Sequence, residues 1–417
     1  MNQFDPFIGT RYNSSKVRMA NVVSPPYDVI STEQRDAFYE LDAHNVIRLE
    51  LNRDDDPYAS AKRFFDTWKQ EGVLVTEDAP AYYVYYQTFS TPTGEQVTRR
   101  GVLGRLTVKP YSEGNVLPHE RTLPKAKKDR FALLETTGTQ FSPIFGLIDD
   151  SALVFDHTVD GVTAMPPLAD VDEVLPTGAH VRHTLWKLTD PPLVTRLQKL
   201  IASKQIVIAD GHHRYETAVA FAETHHGLPG ADGIMIFLSN LRGEGTIILP
   251  THRVLHSLAS FDQYSFLANI EKQFELKTFE HRDTALAAFE LLPSALTLIG
   301  FPDEPYWVVV SERSEPTGTA LERLAVYRLH ERILKPIAGL TQEQIDAKSN
   351  LWYPHTVDEL EAMTSQNAYN AAFLLKSVNA DEMMDVTKEG AYMPQKSTYF
   401  YPKLLSGLVF QELSAQR

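Results

Sequence analysis

Cysteine is absent from all 417 residues. That one absence removes disulfides, thiolate nucleophiles and Cys-ligated zinc or iron–sulfur centres together. Long apolar runs are missing too: no stretch reaches the roughly 18 residues a membrane-spanning helix needs. Positive charge is in short supply, with 40 Lys and Arg against 54 Asp and Glu, a formal net charge of −14. Such a surface lacks the broad positive field that binds DNA, RNA or anionic membranes, so neither nucleic acid nor membrane is an expected partner. The opening residues, MNQFDPFIGTRYNSS, show no basic segment followed by an apolar one, and a cytoplasmic location is expected. What remains is an ordinary globular composition, 43% hydrophobic and 23% charged. The length predicts two or three packed units, and a homo-oligomer is left open.

No internal repeat or low-complexity segment interrupts the chain. Pro25-Pro26 forbids regular structure, and Ser31 with Gln34 forms a capping box for the helix that follows. A helix is predicted over 59–71, then a hairpin from YYVYYQTFS and GVLGRLTV, and a helix near 126–136. Strands are predicted at SPIFGLID, HTLWKLTD, QIVIAD and GIMIFLSN, with helices over 192–203 and 213–226. Beyond residue 257 the pattern turns more helical, over 261–274, 282–291 and 325–337, with a strand at 306–311. The tail, MPQKSTYFYPKLLSGLVF, reads as irregular structure ending in a short strand. The fold class expected is α+β, with a mixed sheet core over 1–255 and a more helical part over 256–417.

The densest chemistry lies at Asp210-Gly211-His212-His213-Arg214, between the strand QIVIAD and a helix. Free N–H groups and the positive end of a helix dipole collect at such a turn, an anion site by geometry. Gly211 permits close approach, Arg214 supplies an always-charged fork, and Thr217 adds a hydroxyl one turn beyond His213. A plain reading competes: Asp210 caps the helix and the His pair fills hydrogen bonds. Zinc is a weaker third option, because adjacent His212 and His213 side chains diverge. Within this acidic chain RTLPKAKKDR is locally basic, with Arg121, Lys125, Lys127, Lys128 and Arg130. It reads either as a solvated helix start or as a receptor for a phosphate-rich molecule.

DGHHRYETA resembles the G-x-H/R-R-x-x-x-A turn of the ParB/sulfiredoxin superfamily, which holds nucleotide phosphates. Sulfiredoxins place their working Cys where His212 stands, so their redox chemistry is excluded here. A match that is nearly chain-long is to a bacterial and archaeal family of uncharacterised proteins. It is carried by PPYDVI (25–30), NVIRLEL (45–51), HERTLPKAKKDRFALL (119–134), SPIF (142–145), ADGHHRYETA (209–218), LPTHR (249–253) and MPQKSTYFYPKLLSGLVF (393–410). The resemblance implies a ParB/sulfiredoxin-like nucleotide-binding core over 1–255, and a tail motif returning to the active site. It also implies an ATP- and Mg2+-dependent kinase making O-phosphoserine from free L-serine, with small molecule and nucleotide as its partners.

Phosphoryl transfer needs charge clamps, a metal and a carboxylate to position and deprotonate a hydroxyl. The expected clamps are Gly211, His213, Arg214, Thr217, Arg121, Lys125 and Lys128. The expected chemical residues are Asp210, which also takes Mg2+, then Glu120, Glu50 and His212. Tyr27, Asp28, Lys396 and Ser397 are expected to meet the substrate. If IRLEL is a strand, Arg48 and Glu50 share a face, and an Arg48–Glu50 ion pair is the bland alternative for Glu50. A nucleotide-binding regulatory protein without turnover is the second reading, and a hydrolase or isomerase of a phosphorylated metabolite the third. His252, His330 and His355 read as packing or hydrogen-bonding residues.

Overall fold

Aromatic and β-branched residues over 82–90 and 96–107 form the predicted hairpin, its turn passing through Gly94 at φ +87°. In the computed structural model, residues 2–122, 124–302 and 306–413 are described, the side chains of residues 124–126 excepted. The chain divides into two units. One comprises Met1–Pro118, Thr122–Ile247 and Pro402–Arg417, the other His119–Arg121 and Ile248–Tyr401.

The first unit is built on a mixed sheet of nine strands among the described residues. In chain order these are β1 (Phe4–Asp5), β2 (Tyr82–Ser90), β3 (Gln96–Thr107), β4 (Val116–Leu117), β5 (Ile144–Ile148), β6 (Ala169–Val174), β7 (His180–Leu188), β8 (Ile206–Asp210) and β9 (Gly233–Asn240). Across the sheet they lie β4-β8-β5-β9-β3-β2-β7-β6, with β1 also on β3. β4 runs parallel to β8 and β5 parallel to β9, while the other neighbours are antiparallel. The helices used below are α1 (Thr32–Leu41), α2 (Ile47–Glu50), α3 (Pro57–Gln70), α4 (Pro124–Thr137), α5 (Pro191–Ala202) and α6 (His212–Thr224). The predicted capping box forms on α1, where Ser31 Oγ accepts from Gln34 N and Gln34 Oε1 from Ser31 N.

One face of the sheet is apolar and packs against helices. Tyr82, Val84, Val102, Ile144, Ile206, Ile208, Ile236 and Leu238 join Leu197 and Ile201 of α5 and Tyr215 and Ala218 of α6 in one core. Each of these fully buried aliphatic side chains contributes about 1.5–3 kcal/mol. The other face is different: it buries Tyr85, Gln87, Arg99 and His183, and residues 402–405 lie against them.

The run 47–51, considered as a strand on composition, is a short helix, α2. Buried Asn45 accepts from Ile47 N and donates to Asn21 O and Val23 O, which starts the chain helically. Arg48 consequently points to Tyr39 O at 2.8 Å rather than to Glu50.

The second unit has six antiparallel strands among the described residues: β10 (Arg253–Leu255), β11 (Glu275–Phe279), β12 (Ala295–Gly300), β13 (Trp307–Ser311), β14 (Leu351–Trp352) and β15 (Ala371–Leu374). Their order is β11-β13-β12-β15-β10-β14. The helix predicted over 325–337 begins as α-helix at Ala325–Leu329 and widens at His330–Leu334 into a turn of π type. Leu324, Leu329, Ile333 and Leu334 are buried, as the stripe predicts. Buried His330 accepts from Arg253 Nε at 3.1 Å, and His252 Nδ1 accepts from Leu375 N at 3.1 Å. No helix among the described residues is long and apolar enough to cross a membrane.

Burial, reinforced by Arg253, lowers the His252 pKa to about 4 and pushes His330 well below its usual range. A folded pKa below the unfolded value near 6.5 contributes stability that is complete above pH 6.5 and is lost as pH falls through 4. For His252 alone that amounts to about 3 kcal/mol. The expected result is a melting temperature that falls between pH 6.5 and 4, with a shallower fall in His252→Asn, measured by thermal denaturation across that range.

Candidate phosphate-binding site

The site begins with an irregularity in β8. Ile208 pairs with Gly146 but Asp210 pairs with Phe145, so Ala209 is an extra residue on its strand. This bulge breaks the alternation of β8 and re-aims Asp210 just where the strand ends. Gly211 follows at φ +94°, a left-handed conformation, and no side chain caps α6. A Cβ on Gly211 would lie 2.7 Å from Ile144 Cγ2 and 3.1 Å from Arg214 Nη2. The glycine is therefore required both by its backbone angle and by the space.

Asp210 accepts from Arg214 Nη2 on Oδ2 and from Lys403 Nζ on Oδ1, each at 3.0 Å. Arg214 also donates through Nη1 to Pro143 O at 2.6 Å and Ser142 Oγ at 3.1 Å. Its Nε is buried without a hydrogen-bond partner. The guanidinium is thus held by three groups, with its Nε donor unspent. His212 is buried and His213 half-buried in the first turn. Thr217 is buried, with its hydroxyl 3.4 Å from Lys127 O.

Beside this turn, Glu50 and Arg130 form a buried pair at 2.8 Å, with side chains 4% and 8% exposed. Arg130 also donates to Glu50 O and to Asp129. Burial works against the Arg130 charge, but Glu50, Tyr27 and Asp129 outweigh it and raise its pKa. The Tyr27 ring lies 4.0 Å from the Arg130 guanidinium and 6.0 Å from that of Arg214. Burial first, and then Asp28, lift the Tyr27 hydroxyl to about 12, so it stays protonated in the physiological range. Asp28 itself is exposed in a single 3-10 turn, Tyr27–Val29. Glu50, Arg130, Ser142, Arg214 and Thr217 line one cavity together with Leu133 and Phe141. A second groove between α4 and α6 is lined by Tyr111, Lys127, Lys128, Tyr215 and Glu216, and Thr217 borders both.

The expected residues thus fall into separate groups. Tyr27, Asp28, Glu50, Asp210, Gly211, His212, His213, Arg214 and Thr217 belong to the first unit, as do Lys127, Lys128 and Arg130 of α4. The basic stretch does not act as one cluster. Lys127 is paired with Glu216 at 2.8 Å, Lys128 is exposed, and Arg130 is buried on Glu50. The Lys125 side chain lies outside the described residues. Glu120, Arg121, Lys396 and Ser397 belong to the second unit. There Ser397 N donates to Glu120 Oε1 at 3.3 Å, and Arg121 lies 5.6 Å from the Tyr392 ring. Arg253 donates to Lys396 O, whose residue holds a left-handed backbone at φ +58°.

Three site residues escaped the reading of the sequence: Lys403, Ser142 and the specific role of Arg130. All three stand inside the stretches singled out there, YPKLL, SPIF and KKDRF. No local signal could have paired Lys403 with a carboxylate 193 residues away, or Arg130 with one 80 residues away.

The described residues contain no group of three His, Asp or Glu able to cage a metal. Each carboxylate oxygen of Asp210 accepts from one cation, Arg214 or Lys403. Glycine 211 offers a direct check of the turn: Gly211→Ala is expected to destabilise the protein by about 1–3 kcal/mol in chemical denaturation.

A family model described as protein of unknown function (DUF1015) matches residues 4–347, and the chain belongs to that family. No curated protein matches. Similar solved structures include a mutant free serine kinase in complex with ADP, 11% identical, covering 70% of this chain and 89% of that one, with a TM-score of 0.36. A conserved hypothetical protein from Pyrococcus furiosus is 14% identical over 70% of this chain and 92% of that one, TM-score 0.34. SbnI with C-terminal truncation from Staphylococcus aureus is 9% identical over 72% and 85%, TM-score 0.33.

Proposed function

We propose that this member of the DUF1015 family is a small-molecule kinase. It transfers the γ-phosphoryl group of ATP to the hydroxyl of free L-serine or a similar hydroxyl amino acid. The observation that carries this reading is the bulged strand end. It sets Asp210, Gly211 and the doubly anchored Arg214 at the uncapped start of α6, beside a cavity lined by Glu50 and Arg130.

The roles follow from charge and reach. The first turn of α6 and Arg214 receive phosphate oxygens, with the unspent Nε of Arg214 as one donor. The α4–α6 groove, with Tyr111, Lys127 and Lys128, accommodates the rest of the nucleotide. Glu50 is the candidate base: Arg130 fixes its Oε2, and its Oε1 receives the hydroxyl proton. In the step, the substrate oxygen bonds to the γ-phosphorus as the bond from that phosphorus to the bridging oxygen breaks. ADP leaves with the bond's electrons, and the proton goes to Glu50. Bound to the nucleotide's phosphates, Mg2+ would supply neutralisation of their charge. Asp210, held by two cations, organises the clamp and does not itself act as the base.

The test is incubation of the purified protein with ATP, Mg2+ and a panel of hydroxyl amino acids, followed by detection of phosphorylated product. Turnover with one panel member is expected. Nucleotide binding without any product would favour a regulatory protein, and no nucleotide binding would overturn both. Given turnover, Glu50→Gln is expected to lower kcat by about 100-fold or more with nucleotide affinity little changed. Arg214→Ala is expected to lower kcat/KM by a similar factor of about 100 or more through lost phosphate contacts. A Glu50→Gln enzyme with wild-type kcat would remove that residue from the chemistry.

A further inference from the structure

The sheet face opposite the helices buries a row of polar residues that the proposed reaction does not use. His183, Gln87 and Arg99 are cross-strand neighbours on β7, β2 and β3. Arg99 is 1% exposed, and burial lowers its pKa to about 9. A guanidinium so deeply buried is costly to keep, and its partners show what it does. Arg99 Nε donates to Gly245 O at 3.0 Å, and Nη1 donates to Gln87 Oε1 at 2.9 Å and Pro402 O at 2.8 Å. Gln87 Nε2 then donates to Lys403 O at 2.8 Å. Two residues further on, Leu405 N donates to Tyr85 OH at 3.4 Å, which meets His183 Nδ1 at 2.6 Å, and His183 Nε2 meets Glu173 at 2.9 Å.

These bonds take hold of the C-terminal strap at residues 402, 403 and 405. A backbone fixed at the carbonyls of Pro402 and Lys403 leaves only side-chain rotation to place the Lys403 ammonium. That ammonium lies on Asp210 Oδ1 at 3.0 Å, with its side chain 14% exposed. The opposite oxygen of the same carboxylate holds Arg214.

We propose that Lys403 is a direct phosphate ligand, delivered to the site by the C-terminal strap, and that Arg99 is the positioning residue that clasps the strap in register. This rests on the polyphosphate reading of the site given above. Asp210 holds the two cations side by side, and an arriving polyphosphate takes Lys403 over from Asp210 while Arg214 keeps its anchor. A lysine suits the exchange, because its compact, rotatable ammonium swings between acceptors where a forked guanidinium is held by geometry.

The test uses the full chain and two probes, ATP and inorganic tripolyphosphate, with affinity read by titration calorimetry and folding by thermal melts. Lys403→Met is expected to weaken both probes by about 10- to 100-fold at an unchanged melting temperature. Lys403→Arg keeps the charge but not the compact ammonium, and is expected to recover only a minor part of the loss. Should the Met variant melt early, Lys403→Gln carries the same comparison with a polar side chain. Arg99→Lys is expected to weaken binding in the wild-type background and to add nothing in the Lys403→Met background, a non-additivity that general loosening would not produce. Wild-type tripolyphosphate affinity in a folded Lys403→Met protein overturns the lysine's role and leaves the kinase reading intact. Lys403-dependent binding of tripolyphosphate without ATP binding supports the lysine and overturns the kinase reading. A wild-type protein that binds neither probe overturns both. Additive losses from Arg99→Lys and Lys403→Met overturn the clasp alone.

Discussion

Asp210 must satisfy two cations at the end of a bulged strand, Arg214 from one turn into the following helix and Lys403 from the C-terminal strap. Much of the first unit can be read as the means of putting that carboxylate in place. The extra residue at Ala209 turns Asp210 away from the regular alternation, and Gly211 lets the chain enter α6 through a conformation that other residues adopt only with strain. Buried Ser142 and the Pro143 carbonyl take the far side of Arg214, so its guanidinium is spread between two strand ends.

The neighbouring Glu50–Arg130 pair poses a different energetic problem. Two charges with side chains 4% and 8% exposed lose most of their hydration, and their attraction offsets this only with good geometry and added hydrogen bonds. Arg130 obtains them from Glu50 O, from Asp129 and from the face of Tyr27. A hydrophobic pair would fill the same volume more cheaply. The pair is therefore kept in this cavity wall at a cost in stability.

The second unit solves a similar problem with one buried arginine. Arg253 donates to the carbonyls of Thr251, His252, Gln395 and Lys396, and to His330, while its ring neighbour is Tyr353. The turn it grips holds Lys396 in a left-handed backbone and directs Ser397 N toward Glu120. His119 Nε2 and Thr398 Oγ1 meet at 2.9 Å in the same turn. Buried arginines bound to carbonyls recur in both units, Arg99 in one and Arg253 in the other. In each unit the gripped segment is a piece of the aromatic, Pro-containing tail.

Much of the local structure was legible in the residues themselves. The capping box at Ser31, the hairpin over 82–107, the strand–turn–helix at Asp210 and the buried stripe through Leu329 and Ile333 each depend on neighbours within a few positions. Those are the signals that periodicity, capping and turn chemistry record. The helix at Ile47–Glu50 was not legible, because Asn45 bonds that start it reach back to Asn21 and Val23. The partners of charged residues were less legible still. RTLPKAKKDR looked like one basic patch, yet its members face different partners, because a helix turns successive side chains outward in different directions. The sequence by itself determined that a strand-to-helix turn carrying Gly211 and Arg214 exists. Only the tertiary structure decided that Lys403 shares its carboxylate and that Glu50 belongs to Arg130. Pairings between residues 193 and 80 positions apart are set by how helices, the end of a strand and the C-terminal strap pack together, and no local pattern carries that information.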